Sequence, residues 1–116
     1  MNDLKRLYEE NKFNEILELE SQIKEPQDLF LLISSCLSVG DGKKAMEILL
    51  HHRDALWDHN PVLTMKADLE TRAILGQFDE AYKDMDYFQN KPYVSQEVEE
   101  ALRHYPKWLR QKEFEG

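Results

Sequence analysis

Two segments of the chain carry the same pattern around a glycine, and this repeat constrains the fold more than any other feature. Residues 39–45 and 75–81 both read apolar, Gly, polar, small or aromatic, two polar, Ala, and the two glycines, Gly40 and Gly76, are 36 residues apart. Glycine readily adopts the left-handed conformation that closes many helices, and the small alanine lets the next helix approach the previous one closely. The repeat therefore predicts two helix hairpins, one turning at each glycine. A fainter copy begins at Asn11.

Apolar residues recur every three or four positions along most of the chain, as in helices that bury one face. No useful length of sequence alternates with period two, so no strands are predicted. The prediction is an all-α fold of about three antiparallel helix hairpins plus a C-terminal helix. The hairpins cover about residues 3–23, 27–57 and 62–89, and the C-terminal helix covers about 95–105 before Pro106 breaks or kinks it, with a further short helix over 107–114 as an option.

Two helix boundaries stay open at this point. The apolar pattern is interrupted at Asn11 and Lys12, which favours two short helices with a tight turn, and a single bent helix is the alternative. The helix after Gly40 either ends near His52 or continues as far as Trp57. No linker divides the chain, so a single domain over residues 1–116 is expected.

Composition and charge exclude several classes of protein. The single cysteine, Cys36, allows no intrachain disulfide, and the N-terminus lacks the apolar run of a signal peptide. The longest apolar run, Leu29–Ile33, is far too short to span a membrane. The net charge of −8 argues against wrapping nucleic acid, which needs clustered Lys and Arg. We expect a soluble cytoplasmic protein with no nucleic-acid or membrane partner.

The charge is unevenly distributed. Residues 1–90 carry 10 basic and 18 acidic side chains, a difference of −8, whereas residues 91–116 carry five of each. Within this C-terminal part, the run from Arg103 to Lys112 contains four basic residues and no acidic one. Such a run is either the solvated face of a last helix or a small basic contact patch around Trp108.

The turn pattern resembles the tetratricopeptide repeat, a helix hairpin of about 34 residues. In that family the turn has Gly, an aromatic residue two positions later and Ala three positions after that. Residues 62–90 carry the clearest match, through Gly76, Phe78, Ala81 and Phe88. Residues 26–61 match through Leu29, Leu32, Cys36, Gly40, Ala45 and the closing Asn60-Pro61. The resemblance implies a right-handed α-solenoid, and an ordinary helical bundle is the alternative.

The sequence also departs from the family pattern. Gly42 stands where the aromatic is expected, and the turn spacings of 29 and 36 differ from the usual period. Asp68 and Arg72 fall where the family places Leu and Tyr. Because these two residues are four apart, the spacing allows an ion pair between them on the helix surface. The helix would then be rotated, with Met65, Leu69 and Ala73 inward.

No pattern in the sequence predicts catalysis. The four histidines, His51, His52, His59 and His104, show no pair at the spacing of a helical metal site. Cys36 lies among apolar residues, as a buried and inert thiol does. The segment 40–44 lacks the spaced glycines and the ending of a phosphate loop. We expect no enzyme, no metal and no cofactor.

The family resemblance implies a concave groove lined by the first helix of each hairpin. Some members grip a peptide C-terminus there with Lys, Arg and Asn, but here only Lys66 fits and Glu70 would oppose a carboxylate. The same positions are equally compatible with plain surface or packing between hairpins. The positions carried over are Arg6, with Asn2 beside it, Phe30, Ser34, Ser38, Lys66, Glu70 and Ile74.

The sequence thus predicts a non-catalytic protein–protein interaction module that binds a peptide or protein segment in this groove. The alternative is a structural repeat domain that self-associates as a homodimer, or the N-terminal fragment of a larger repeat protein. For self-association, the candidate apolar contacts are Trp57, Tyr93, Trp108 and Phe114.

Overall fold

The computed structural model describes residues 3–92 and 95–116, and helices are the regular elements throughout these ranges. The all-α prediction is confirmed. The described residues form two compact units, unit 1 ending at His59 and unit 2 beginning at Asn60. The helices are α1 (Leu4–Glu9), α2 (Phe13–Glu18), α3 (Pro26–Ser38), α4 (Gly42–His51), α5 (Arg53–His59), α6 (Pro61–Ile74), α7 (Phe78–Gln89) and α8 (Gln96–Glu115), with a 3₁₀ turn at Glu20–Gln22.

Three helix pairs are joined by the same kind of turn, centred on Asn11, Gly40 and Gly76. These residues have φ angles of 61°, 83° and 72°, in the left-handed region. At each turn, the N–H of the central residue bonds the carbonyl three positions back, and the next N–H bonds the carbonyl five positions before it. This is the Schellman arrangement that closes helices. The six bonds are Asn11 to Tyr8, Lys12 to Leu7, Gly40 to Leu37, Asp41 to Cys36, Gly76 to Ala73 and Gln77 to Arg72.

The residue five positions after each turn is buried in the hairpin. Ile16, Ala45 and Ala81 are all 0–1% exposed. The fainter repeat at Asn11 therefore has the same construction as the two glycine turns, and the alternative of a single bent helix over residues 3–23 is wrong. Asparagine takes the glycine position because its short polar side chain tolerates the left-handed region.

Unit 1 is built around α3, which packs against α1, α2, α4 and α5. Its buried side chains include Leu29, Leu32, Ile33 and Cys36, as expected for a helix that is apolar on most sides. Pro26 lies in the first turn of α3, and the Asp41 carboxylate caps α4 by accepting from the Lys44 N–H at 3.1 Å. The helix after Gly40 ends at His51, and α5 then starts at Arg53, so no uninterrupted helix runs to Trp57.

Unit 2 consists of α6, α7 and α8, and each pair of these helices is in contact. Met65, Leu69, Phe88, Val98 and Leu109 are all 0–1% exposed and form its core. At the start of α6, the Asn60 side chain caps the helix by accepting from the Leu63 N–H at 3.1 Å, with Pro61 in the first turn. At the start of α8, Ser95 accepts from the Val98 N–H at 3.3 Å.

Polar residues of α6 point into unit 2, which corrects the predicted surface ion pair. Asp68 is fully buried, and the Arg72 side chain is only 13% exposed. The Arg72 Nε donates to a carboxylate oxygen of Asp84 on α7 at 2.9 Å, and one of its two terminal guanidinium nitrogens donates to the side-chain oxygen of Gln77 at 2.7 Å. Met65 and Leu69 are buried as predicted, but Asp68 and Arg72 lie inside the unit as well and not on its surface. A partner on α7, distant in sequence, lets the charged side chain stay inside.

The break predicted at Pro106 is also wrong, because α8 continues through it from Gln96 to Glu115. A proline inside a helix costs one backbone hydrogen bond and crowds the preceding turn. Here the apolar stripe Val98, Ala101, Tyr105 and Leu109 is buried on both sides of Pro106. Packing of this stripe in unit 2 outweighs the local preference of proline.

None of the helices within residues 3–92 and 95–116 combines the length and the apolar character needed to cross a membrane.

Candidate functional site

Unit 2 contains a cleft of about 530 Å³, which we call the Trp108 cleft. It lies where the end of α6, the turn at Gly76, the start of α7 and the second half of α8 meet. Its lining consists of Glu70, Ala73, Ile74, Gly76, Phe78, Trp108, Lys112, Glu115 and Gly116.

The walls of the cleft are largely apolar, although it is open to solvent. Ile74 is 71% exposed, an unusual position for a branched aliphatic side chain, and Phe78 and Trp108 are half-buried. The small residues Ala73 and Gly76 leave room between these larger side chains. Glu70 and Ile74 are four residues apart and therefore share one face of α6.

Contacts within unit 2 hold Trp108 in place. The Tyr105 hydroxyl donates to a Glu70 carboxylate oxygen at 3.0 Å, which ties α8 to α6. The Tyr105 and Trp108 rings meet edge to face, with centroids 5.8 Å apart. Burial, and then the neighbouring Glu70 carboxylate, raise the pKa of the Tyr105 hydroxyl, so it remains a neutral hydrogen-bond donor near neutral pH.

Charged side chains border the cleft beside Trp108. The Lys112 ammonium lies 5.7 Å from the centre of the Trp108 ring and 3.4 Å from a Glu115 carboxylate oxygen. A cation at this distance over an aromatic face is attracted to it. The cleft thus combines an apolar surface with one cation and two carboxylates at its edge.

Trp108 also borders a second, shallower depression on the exposed side of α8. This depression, of about 520 Å³, is lined by Glu100, Arg103, His104, Lys107, Trp108 and Gln111. Arg103, His104 and Lys107 are all exposed. We call this surface the basic face of α8.

The structure brings together two of the predicted groove residues, Glu70 and Ile74, in the Trp108 cleft. Lys66 is exposed one turn earlier on α6 but does not line the cleft.

The groove residues predicted in unit 1 have other contacts. Phe30 is 8% exposed and packs against His59, with ring centroids 6.4 Å apart. The Ser38 hydroxyl donates to the Ser34 carbonyl at 2.9 Å, and Arg6 pairs with Glu10 at 3.5 Å. Asn2 lies outside the described residues.

The predicted apolar contacts also differ in their exposure. Trp57 is 4% exposed, so it is a core residue of unit 1 and no surface contact. Phe114 is 93% exposed near the end of α8, and Tyr93 lies outside the described residues. The sequence pattern marks Trp108 and Phe78 separately and does not place them together, because they are 30 residues apart and meet only through packing of α8 on α6 and α7.

Two further groups of titratable residues lie in unit 1, at Cys36 and at the adjacent histidines His51 and His52. Burial, followed by the charges of Asp41 and Glu20, raises the pKa of the Cys36 thiol to about 11. His51 and His52 have ring centroids 4.7 Å apart beside Glu20 and Lys44, around a small cavity of about 240 Å³. Over residues 3–92 and 95–116, no group of three or more His, Cys, Asp and Glu is placed to hold a metal ion.

Comparison of the chain with protein-family models, with curated proteins and with solved structures found no match. The function must therefore be inferred from the surfaces described above.

Proposed function

We propose that the protein is a non-catalytic interaction module of the cytoplasm that binds a segment of another protein in the Trp108 cleft. The observation that carries this proposal is the 71% exposure of Ile74 on a cleft that also presents Phe78 and Trp108. Large apolar side chains gathered at an open cavity are typical of binding surfaces.

The cleft is large enough to accept a side chain of a partner. Its volume of about 530 Å³ falls in the range of roughly 300–1,000 Å³ that is typical of binding cavities. An apolar anchor residue of the partner would cover Ile74 and the edge of Trp108, and its backbone would remain near Lys112 and Glu70. Aromatic side chains such as Trp108 are frequent energetic centres of protein interfaces.

We also propose that the hairpins stack as a tetratricopeptide-like repeat. In support, the turns at Asn11, Gly40 and Gly76 have the same hydrogen bonds. Each is followed five residues later by a fully buried side chain.

A selection of random short peptides displayed on phage tests the binding proposal. We expect peptides with a large apolar residue to be enriched on the wild-type chain. Ile74→Glu should weaken the binding of the corresponding synthetic peptides by at least about tenfold, because a charge would replace an apolar contact at the anchor. Fluorescence anisotropy of the labelled peptides measures this change.

Leu50→Glu is the matched control. Leu50 is also an exposed aliphatic residue, 40% exposed on α4 of unit 1, and it does not line the cleft. This variant should bind the peptides as the wild type does. Failure to enrich any peptide, or equal loss of binding in both variants, would refute the proposed function.

Self-association is the second candidate, and the 93% exposure of Phe114 favours it. If Phe114 and the Trp108 cleft meet their counterparts in a second copy, light scattering will show a dimer whose fraction grows with concentration. Phe114→Ser should return the chain to a monomer. A monomer at all concentrations would exclude this candidate and leave the first intact.

A further inference from the structure

Two exposed cations, Arg103 and Lys107, form a stripe on the basic face of α8. They are four residues apart and so lie on the same side of the helix. Neither forms an ion pair within residues 3–92 and 95–116, in contrast to Lys12, Lys44 and Arg72. The stripe therefore presents to solvent two positive charges that have no ion-pair partner in these ranges, with Glu100 one turn before Arg103 on the same helix.

The stripe adjoins the Trp108 cleft, because Trp108 borders both the basic face and the cleft. A segment lying along α8 could therefore place one residue in the cleft and its neighbours on Arg103 and Lys107. Glu100 marks the other end of the basic face, and its carboxylate limits how far an acidic segment could extend there.

The charge of the chain indicates which occupant fits. The chain carries a net charge of −8, yet the run from Arg103 to Lys112 contains no acidic residue. A short acidic segment would lie mainly along the four cations of this run, and with a screening length of about 8–10 Å at moderate salt it would be repelled only by the bordering carboxylates of Glu70, Glu100 and Glu115. A second copy of the chain would bring its whole surface of charge −8 close to the first, so a foreign segment is the better complement.

We infer that the partner segment is an acidic peptide with an apolar anchor, the anchor lying in the Trp108 cleft and the carboxylates on Arg103 and Lys107. The inference rests on the proposed function and specifies the chemistry of its ligand. The opposite charges would orient the segment along α8 and accelerate its association at low salt.

The same phage selection tests this inference through two further readouts. The enriched peptides should have a net negative charge, and Arg103→Glu/Lys107→Glu should weaken their binding by at least about tenfold, since two favourable charge contacts become repulsive. Trp108→Ala should weaken binding on the order of thirtyfold, as expected for a central aromatic residue. Circular dichroism verifies that each variant is folded.

Lys43→Glu/Lys83→Glu is the control for overall charge. It changes the net charge by the same amount at two exposed lysines on α4 and α7 that do not line the basic face. This variant should bind the enriched peptides within about twofold of the wild type, because distant exposed charges are largely screened. An equal loss in both double variants would overturn the inference, since only the overall charge would then matter.

The possible failures are distinguishable. If the enriched peptides need Ile74 but are neutral or basic, the proposed function stands and the acidic partner is wrong. If no peptide is enriched, both proposals fail. Sedimentation with phosphatidylserine vesicles tests the remaining outcome. If the wild-type chain pellets with the vesicles, loses this binding when Arg103 and Lys107 are replaced, and shows no preference for acidic peptides, the inference is wrong. The ligand of the basic face would then be an anionic membrane surface.

Discussion

The guanidinium Nε of Arg72 lies 2.9 Å from a carboxylate oxygen of Asp84, and this ion pair joins α6 to α7 inside unit 2. The two side chains are only 13% and 10% exposed. Removing one partner of a buried pair takes away a neutralising charge from the side chain that remains. We therefore expect Arg72→Met to lower the free energy of unfolding by about 3–5 kcal/mol, measured by urea denaturation.

The double variant Arg72→Met/Asp84→Leu separates the value of the pair from the cost of removing one partner alone. Apolar residues of similar size can replace a buried pair at little cost. We expect the double variant to be more stable than Arg72→Met alone. Arg6→Met, at the exposed pair with Glu10, should leave stability unchanged. A loss at Arg72 no larger than at Arg6 would contradict this account.

We expect the stability of the chain to depend on how well the residue at the centre of a left-handed turn tolerates a positive φ angle. An added Cβ at Gly76 would meet no atom within 4 Å, so the cost of a side chain comes from the backbone angle alone. Gly76→Ala should lower the free energy of unfolding by about 1–2 kcal/mol. Gly76→Asn should cost less, because the chain already accepts asparagine at φ 61° in the equivalent turn at Asn11. Thermal denaturation of the two variants shows which is the less stable. If Gly76→Asn were less stable than Gly76→Ala, backbone strain would not be the cause of the loss.

The proline within α8 predicts a stabilising substitution. Pro106 has no N–H and leaves the Leu102 carbonyl without its usual partner in the helix. Pro106→Ala restores this donor, and we expect the free energy of unfolding to rise by about 1–3 kcal/mol. Lys107→Ala, at the exposed neighbouring position, should change stability little. If Pro106→Ala destabilised the chain, packing of the proline ring would have to outweigh the regained hydrogen bond.

The buried thiol predicts slow chemical modification. Cys36 is 0% exposed in α3, and its pKa of about 11 keeps it protonated at neutral pH. Since the thiolate is the reactive form, the native chain should react with a disulfide reagent at least about a hundredfold more slowly than the urea-unfolded chain. Absorbance of the released thiol follows both reactions. Comparable rates would mean that α3 opens readily.

We expect the free energy of unfolding to depend on pH through His52. Burial, and then the adjacent His51 and Lys24, lower the pKa of its imidazole below the ordinary value of 6.5. The unfolded chain then binds this proton more readily than the folded chain does, so the contribution to stability is present above pH 6.5 and is lost as the pH falls below it.

Titration by NMR checks the position of this group. The His52 imidazole should titrate at lower pH than in the unfolded chain, and His51→Asn should raise its pKa by removing one of the causes. His59→Asn, which alters the ring packed on Phe30, serves as the control. A pKa of His52 equal to that of the unfolded chain would remove this source of pH dependence.

The helices and turns were largely predictable because their signals are local. Gly40, Gly76 and even Asn11 stand beside the apolar residues that they position, and a proline or a cap marks the starts of α3, α6 and α8. Arg72 and Pro106 were misjudged for a common reason. Charged side chains usually lie at the surface, and proline usually ends a helix. Here Asp84 on α7 compensates the buried Arg72, and packing of α8 against α6 and α7 compensates Pro106.

The candidate site was only partly predictable. Glu70 and Ile74 share a helical face, so their proximity follows from spacing alone. The addition of Phe78 and Trp108 depends on how α8 packs against α6 and α7, which the sequence pattern does not specify. The basic run from Arg103 to Lys112 was visible in the sequence, but its connection to an apolar cleft required the position of Trp108.

The turns at Asn11, Gly40 and Gly76 also bear on how the sequence of such a chain can change during evolution. Each turn satisfies its own backbone groups through two local hydrogen bonds and relies on no distant residue for that purpose. A change in the helices at one turn therefore leaves the backbone hydrogen bonds of the other two turns in place. In a protein of this kind, each turn can be inherited as a self-contained element that closes its own helix.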